Sequence, residues 1–367
     1  MKICLFTRQW FNYCVSLSII GVLCACAAIH QVQAEDAFEA FLPLPKNPPV
    51  PEDNLMTPAK TELGKQLYFD PRLSYTGTVS CNSCHNVMAG GEDGRALSIG
   101  ALEKKGKRSA PTLWNVAFQT VYFWDGRAPS LEAAIKEHLI SPTEMGMPDE
   151  ASVVSRLSSI PGYRDEFSHV YRKGEPLNYD NIAKSIAAYI RTLVTPNSPF
   201  DRYLEGDKKA IPASAVQGHH EFIEIGCASC HFWVNFSGPV PGLAFQMGEG
   251  FYELFPNFVG SKYDKMYKLT DDIGRYLVTK EEIHRRMWRV QSLRNVAITA
   301  PYFHNGSVKT LEEAVRVMVR TELNKELTDQ QLSDIISFLN TLTGEFPEQH
   351  MPRLPAVPNG ALAIPRK

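Results

Sequence analysis

Two pentapeptides, CNSCH at Cys81–His85 and CASCH at Cys227–His231, each hold a pair of cysteines separated by two residues and followed directly by a histidine. That spacing suits covalent attachment of a c-type haem. The two thiols add to the vinyl groups, and the adjacent histidine is carried onto the iron as its proximal ligand. Cys81, Cys84, Cys227 and Cys230 would then hold two haem c groups, with His85 and His231 as the proximal ligands. A zinc or redox CxxC that merely precedes a histidine is the plain alternative, and its occurring twice in one chain weighs against it. The other cysteines, Cys4, Cys14, Cys24 and Cys26, all fall in the N-terminal leader, so none is left for disulfides.

The elements that must position these groups are written twice. NVAFQTVYFWDGRAPSLEAAI from Asn115 matches NVAITAPYFHNGSVKTLEEAV from Asn295 without a gap, and the register sets His138 against Met318. IAKSIAAYIRTL near Ile182 likewise echoes LSDIISFLNTL near Leu332, and each reads as an amphipathic helix closing its half. Helical periodicity dominates and strand alternation is scarce. The expected fold is mostly α, with two cytochrome c-like domains that each carry one haem, over residues 35–195 and 196–345, and a C-terminal tail from 346 to 367. Pro196, Pro199 and Pro212 punctuate the boundary. The aromatic and glycine-rich run from Phe232 to Phe258 reads as an irregular loop around the second haem, or as a docking surface.

With 367 residues and 44% hydrophobic content the chain has room for two cores. Lys2 and Arg8, an apolar run from about Val15 to Ala28 and the sequence QVQAED predict a signal peptide over residues 1–34 and export to the periplasm. The run is short for a membrane anchor, and LCAC ending at Cys26 offers a loose lipoprotein site as a lesser reading. The formal charge of −2 becomes more acidic once Lys2 and Arg8 are removed, which argues against nucleic acid as a partner.

The ordered series LGKQLYFDPRLS, CNSCHN, SAPTLWN, FWDGR, PTEMG, GCASCH, DDIGRY, SLRNVAITAPYFHNG and TLTGEFP resembles the bacterial dihaem cytochrome c peroxidases over nearly the whole exported chain. A broader relative is the dihaem enzyme that matures the tryptophan-derived cofactor of methylamine dehydrogenase. The resemblance implies a peroxidatic haem at Cys81, Cys84 and His85, and an electron-entry haem at Cys227, Cys230 and His231 with Met318 as its axial methionine. A thioether opposite histidine raises the reduction potential and suits electron transfer. The maturation enzyme has tyrosine at that place, so methionine favours the peroxidase.

By the same resemblance Glu144 is the distal carboxylate that moves protons during cleavage of the peroxide O–O bond, with a helix-capping glutamate as the plain alternative. Trp124 corresponds to the tryptophan between the haems, either a relay or packing beside a porphyrin. Its repeat partner His304 reads as a hydrogen-bonding structural residue near the second haem. The family's calcium ion implies ligands at Ser109, Thr299 and Pro301, the last two through backbone carbonyls, with serine standing where the family has an amide and supplying a weaker oxygen. Implied partners are hydrogen peroxide, a small c-type cytochrome or cupredoxin as electron donor, and a second copy of the chain.

Two departures from the family pattern stand out. Ala101 occupies the place of a loop histidine that caps the peroxidatic iron, and Ala134 replaces a distal glutamine. His138, one helical turn beyond Ala134, is therefore expected on the distal side of the first haem. It would serve as a sixth ligand, as an acid and base beside Glu144, or as a helix-face histidine bonded elsewhere. The acid–base role is preferred, which predicts an iron open to peroxide without reductive activation. Most of His169, His219, His220, His284 and His350 are assigned to solvated or capping positions. The rival functions are a dihaem electron carrier with both irons closed, and an oxidase that modifies a partner protein.

Overall fold

The computed structural model describes residues 41–242 and 246–357. The signal peptide, its cleavage point, the lipoprotein reading and the end of the C-terminal tail lie outside the described residues. The chain divides after Leu42, and the unit from Pro43 onward holds every element considered below. That unit is mostly helical, and none of its helices is long and apolar enough to cross a membrane.

Helix α1 spans Pro58–Phe69; the Thr57 hydroxyl accepts from the Lys60 amide, and proline takes the first helical position, where no amide hydrogen is needed. In the same half are α2, Leu131–Ile140, and α3, Tyr179–Ile190. The second half contains α4, Ala213–Ile225, α5, Leu311–Leu323, and α6, Asp329–Asn340. The predicted closing helices are α3 and α6. α1 crosses α3 at Gly64, where any side chain would overlap the Ser185 carbonyl, and α4 crosses α6 at Gly218 against the Asp334 carbonyl. Ser185 and Asp334 are the same position of the repeated closing helix, so both halves use one device. Glycine costs about 1 kcal/mol relative to alanine inside a helix, and here it permits contact between the two backbones.

The linking hairpin is also duplicated. Asn115 and Asn295 are both left-handed, with φ of 63° and 62°. Tyr122 bridges Ala128 as Tyr302 bridges Val308, and Phe123 and Phe303 share φ of 67° and 70°. Trp124 and His304 thereby stand at equivalent hairpin tips, and α2 and α5 leave the hairpins in the same register. Each helix is capped alike: Ser130 accepts from the Ala133 amide, and Thr310 from that of Glu313.

The aromatic run differs from the expected irregular loop in containing a strand, β1, Tyr252–Leu254, paired antiparallel with β2, Met287–Arg289. Three residues are too few for a period-two pattern to register. The pair closes onto the first half through the Tyr252 hydroxyl, which donates to the Gly126 carbonyl at 3.1 Å, and the Arg289 amide, which donates to the Trp124 carbonyl at 2.9 Å. One histidine departs from the solvated or capping reading: His219 is 1% exposed, packed at 4.9 and 5.0 Å from the Phe200 and Phe338 rings.

Candidate active site

Cys81 and Cys84 bound a single helical turn fixed by a reciprocal cap between Ser80 and Ser83, and the His85 amide donates to the Cys81 carbonyl at 3.0 Å. The His85 ring pairs through Nδ1 with the Pro111 carbonyl at 2.9 Å. Since a carbonyl only accepts, Nδ1 carries the hydrogen and Nε2 is the basic nitrogen. His231 repeats this with the Phe236 carbonyl at 2.9 Å. Burial, and then the neighbouring His138, pushes the His85 pKa down to about 4, and burial also lowers that of His231. Both shifts favour the neutral imidazole, the form that binds a metal.

Cys81, Cys84 and His85 line one side of a cavity of about 490 Å³, and Ala134, Ile135 and His138 of α2 line it as well. A second cavity of about 270 Å³ holds Cys227, Cys230, His231 and Met318. The first volume falls within the range of cofactor sites and the second just below its lower end, none of the four described cysteines is in a disulfide, and each histidine commits Nδ1, not Nε2, to its backbone carbonyl. These residues fit two covalently attached haems, with Met318 on α5 available to the second. The cavities share a wall of Ser109, Ala110, Pro111, Thr112, Gln119, Trp124 and Arg289. Trp124 is fixed in that wall by its indole N–H, which donates to the Ser109 carbonyl at 2.8 Å.

Glu144 is brought back over the first cavity by the way α2 ends. Pro142 disfavours helical geometry at Ser141, which adopts φ −64° and ψ 123°. The Glu144 and Gly146 amides then donate to the Ser141 carbonyl at 3.1 and 2.9 Å, folding the chain into a turn. The turn sets Glu144 Oε2 2.5 Å from His138 Nδ1. Burial favours the neutral form of each, but the facing partner outweighs it, so the His138 pKa is raised and that of Glu144 lowered. The capping alternative for Glu144 finds no support in this geometry. Ala101 is 1% exposed beneath the same turn, its amide donating to the Glu144 carbonyl at 2.7 Å.

Ser109, Thr299 and Pro301 all line the second cavity, together with Glu92. The Ser109 hydroxyl is turned to the Arg95 carbonyl at 3.4 Å. No cluster of three or more acidic, histidine or cysteine residues suited to a metal ion occurs among the described residues.

Several residues of the site carry no signal in residue type alone. Trp288 stacks on His304 at 4.2 Å and 17°, so His304 is held by stacking, and its Nε2 has no hydrogen-bond partner among the described residues. Arg108 lies over Trp288 at 4.7 Å and pairs with Asp125 at 2.6 Å and Asp272 at 2.7 Å. Glu322, one turn beyond Met318, lines the second cavity, and burial pushes its carboxyl up to about 7. The helical interval from Met318 could have flagged it.

The sequence profile of the family described as di-haem cytochrome c peroxidase matches residues 58–209. The chain is 38% identical over 341 residues to the cytochrome c551 peroxidase of Pseudomonas aeruginosa, covering 93% of each. It is 39% identical to the cytochrome c551 peroxidase of Nitrosomonas europaea, covering 84% of this chain and 88% of the relative. Among solved structures, a MauG-like protein associated with microbial copper homeostasis superposes with a TM-score of 0.72 at 30% identity, covering 82% of this chain and 95% of that one. With a CxxCH motif lining each of two cavities and relatives matched along almost its full length, the chain belongs to the di-haem cytochrome c peroxidase family.

Proposed function

We propose that this chain is an exported, periplasmic enzyme that reduces hydrogen peroxide to two molecules of water, using two electrons from a small c-type cytochrome or cupredoxin and two protons. Peroxide is handled at the haem of Cys81, Cys84 and His85, in a domain of residues 35–195. Electrons enter at the haem of Cys227, Cys230, His231 and Met318, in a domain of residues 196–345. When bound, the haems supply the electrons and the metal site for O–O cleavage. The protein residues hold and move the protons.

The observation that carries this reading is the 2.5 Å pair of Glu144 and His138 lining the first cavity with His85. Met318 fills the corresponding repeat position in the second. Glu144 Oε2 accepts a proton from the near oxygen of peroxide and returns it to the leaving oxygen, a role worth about 10² to 10⁴ in rate. Trp124 in the shared wall suits a relay between the haems. Ser109, Thr299 and Pro301, with Glu92 beside them, are the proposed calcium position.

The test is peroxide-dependent oxidation of a reduced small c-type cytochrome by the purified holoenzyme. Glu144→Gln should lower kcat by about 10² or more while leaving two haems attached. Unchanged turnover in that variant would remove Glu144 from the reaction.

A further inference from the structure

The centroids of the His85 and His138 rings lie 6.1 Å apart, with their planes at 77°. Two imidazoles bound to opposite faces of one metal, at about 2.0 Å per metal–nitrogen bond and with about 1.2 Å from each nitrogen to its ring centre, have centroids about 6.4 Å apart. A distal base that hydrogen-bonds to a metal-bound substrate must stand back by a further bond and a hydrogen bond, which puts the centroids about 9 Å apart. The observed spacing matches the first arrangement and leaves no room for the second.

The remaining contacts agree. His138 commits Nδ1 to Glu144 and His85 commits Nδ1 to the Pro111 carbonyl, so each ring keeps Nε2 for a metal. A carboxylate behind a ligating imidazole fixes its orientation and strengthens it as a donor. The repeat register places His138 where Met318 stands in the second cavity, on helices that leave identical hairpins. Ala101 is sealed under the Glu144 turn and does not line the first cavity.

We propose that His138 is the sixth ligand of the first haem iron in the resting oxidised protein, with Glu144 as its orienting carboxylate, and that peroxide reaches this iron only after the imidazole has left. The closing ligand thus comes from helix α2, not from the loop at Ala101. This replaces the preference for an open iron with His138 as acid and base. The inference rests on haem attachment at Cys81 and Cys84, and on the peroxidase reading only for the need to reopen.

The test is electron paramagnetic resonance and near-infrared absorption of the as-isolated, fully oxidised holoprotein. Two low-spin ferric signals are expected, one of them of bis-imidazole type. His138→Ala should convert that signal to high spin, admit azide or cyanide, and return to low spin on addition of free imidazole. A high-spin first haem in the resting wild type, or a low-spin signal unaltered in His138→Ala, would overturn the proposal. The wild-type spectrum decides even where the variant fails to fold. A haem count by pyridine haemochrome separates loss of attachment from loss of the ligand, and peroxide turnover after partial reduction separately tests the peroxidase reading.

Discussion

Asn115 and Asn295, which occupy the same place in the two repeats, both donate their side-chain amides to one atom, Thr195 Oγ1, at 2.8 and 2.9 Å. All three residues are fully buried. The side-chain oxygen of Asn115, Oδ1, also accepts from the Thr195 backbone amide at 2.8 Å, so the hydroxyl ties the two halves where the first ends and the second begins.

Thr195→Val keeps the shape but leaves both amides without that acceptor. A buried donor that loses its partner costs about 1 to 3 kcal/mol. A loss of about 2 to 5 kcal/mol in denaturant unfolding of the holoprotein is expected, with Thr195→Ser recovering most of it. A Val variant as stable as wild type would show that the shared hydroxyl contributes little.

His219 makes stability depend on pH. Burial, and then His220, lowers its pKa from 6.5 to about 4. A histidine kept neutral in the fold contributes its full stability above the unfolded pKa. That contribution declines as pH falls from about 6.5 to about 4, because unfolding then takes up a proton that the native state excludes. His219→Phe should flatten the pH dependence in that window by about 1.4 kcal/mol per pH unit. Urea midpoints of both proteins at pH 5 and pH 7 provide the check; equal slopes would assign the acid sensitivity elsewhere.

The proposed calcium position predicts a gain of affinity. An amide carbonyl is a better oxygen ligand for calcium than the Ser109 hydroxyl, which is turned to Arg95. Ser109→Asn should tighten calcium binding about tenfold, roughly 1.4 kcal/mol, read by isothermal titration after chelation and dialysis. Absence of binding heat in both proteins would remove the ion from this site.

The chemistry was more legible in the sequence than the packing. CxxCH names its cofactor because thioether formation and ligation demand that spacing, and a gapless repeat transfers one half's register to the other, which located His138 and Met318. Their distances were not legible. Whether His138 binds metal or waits behind a substrate depends on about 3 Å of ring position, which no residue pattern encodes. His219 read as solvated because its burial comes from Phe200 and Phe338, distant in the chain. The stack of Arg108, Trp288 and His304 likewise joins three separate segments.

The unlike ends of the twin helices explain how two copies of one scaffold diverge. α5 winds on for five residues past Met318, to Leu323, whereas α2 stops at Ile140, ahead of a proline. That early stop doubles the polypeptide back, so that an acid comes to rest against the histidine. The two halves thus differ in how their twin helices end: the early stop sets the Glu144 carboxylate beside His138, while the longer α5 carries Glu322 one turn beyond Met318.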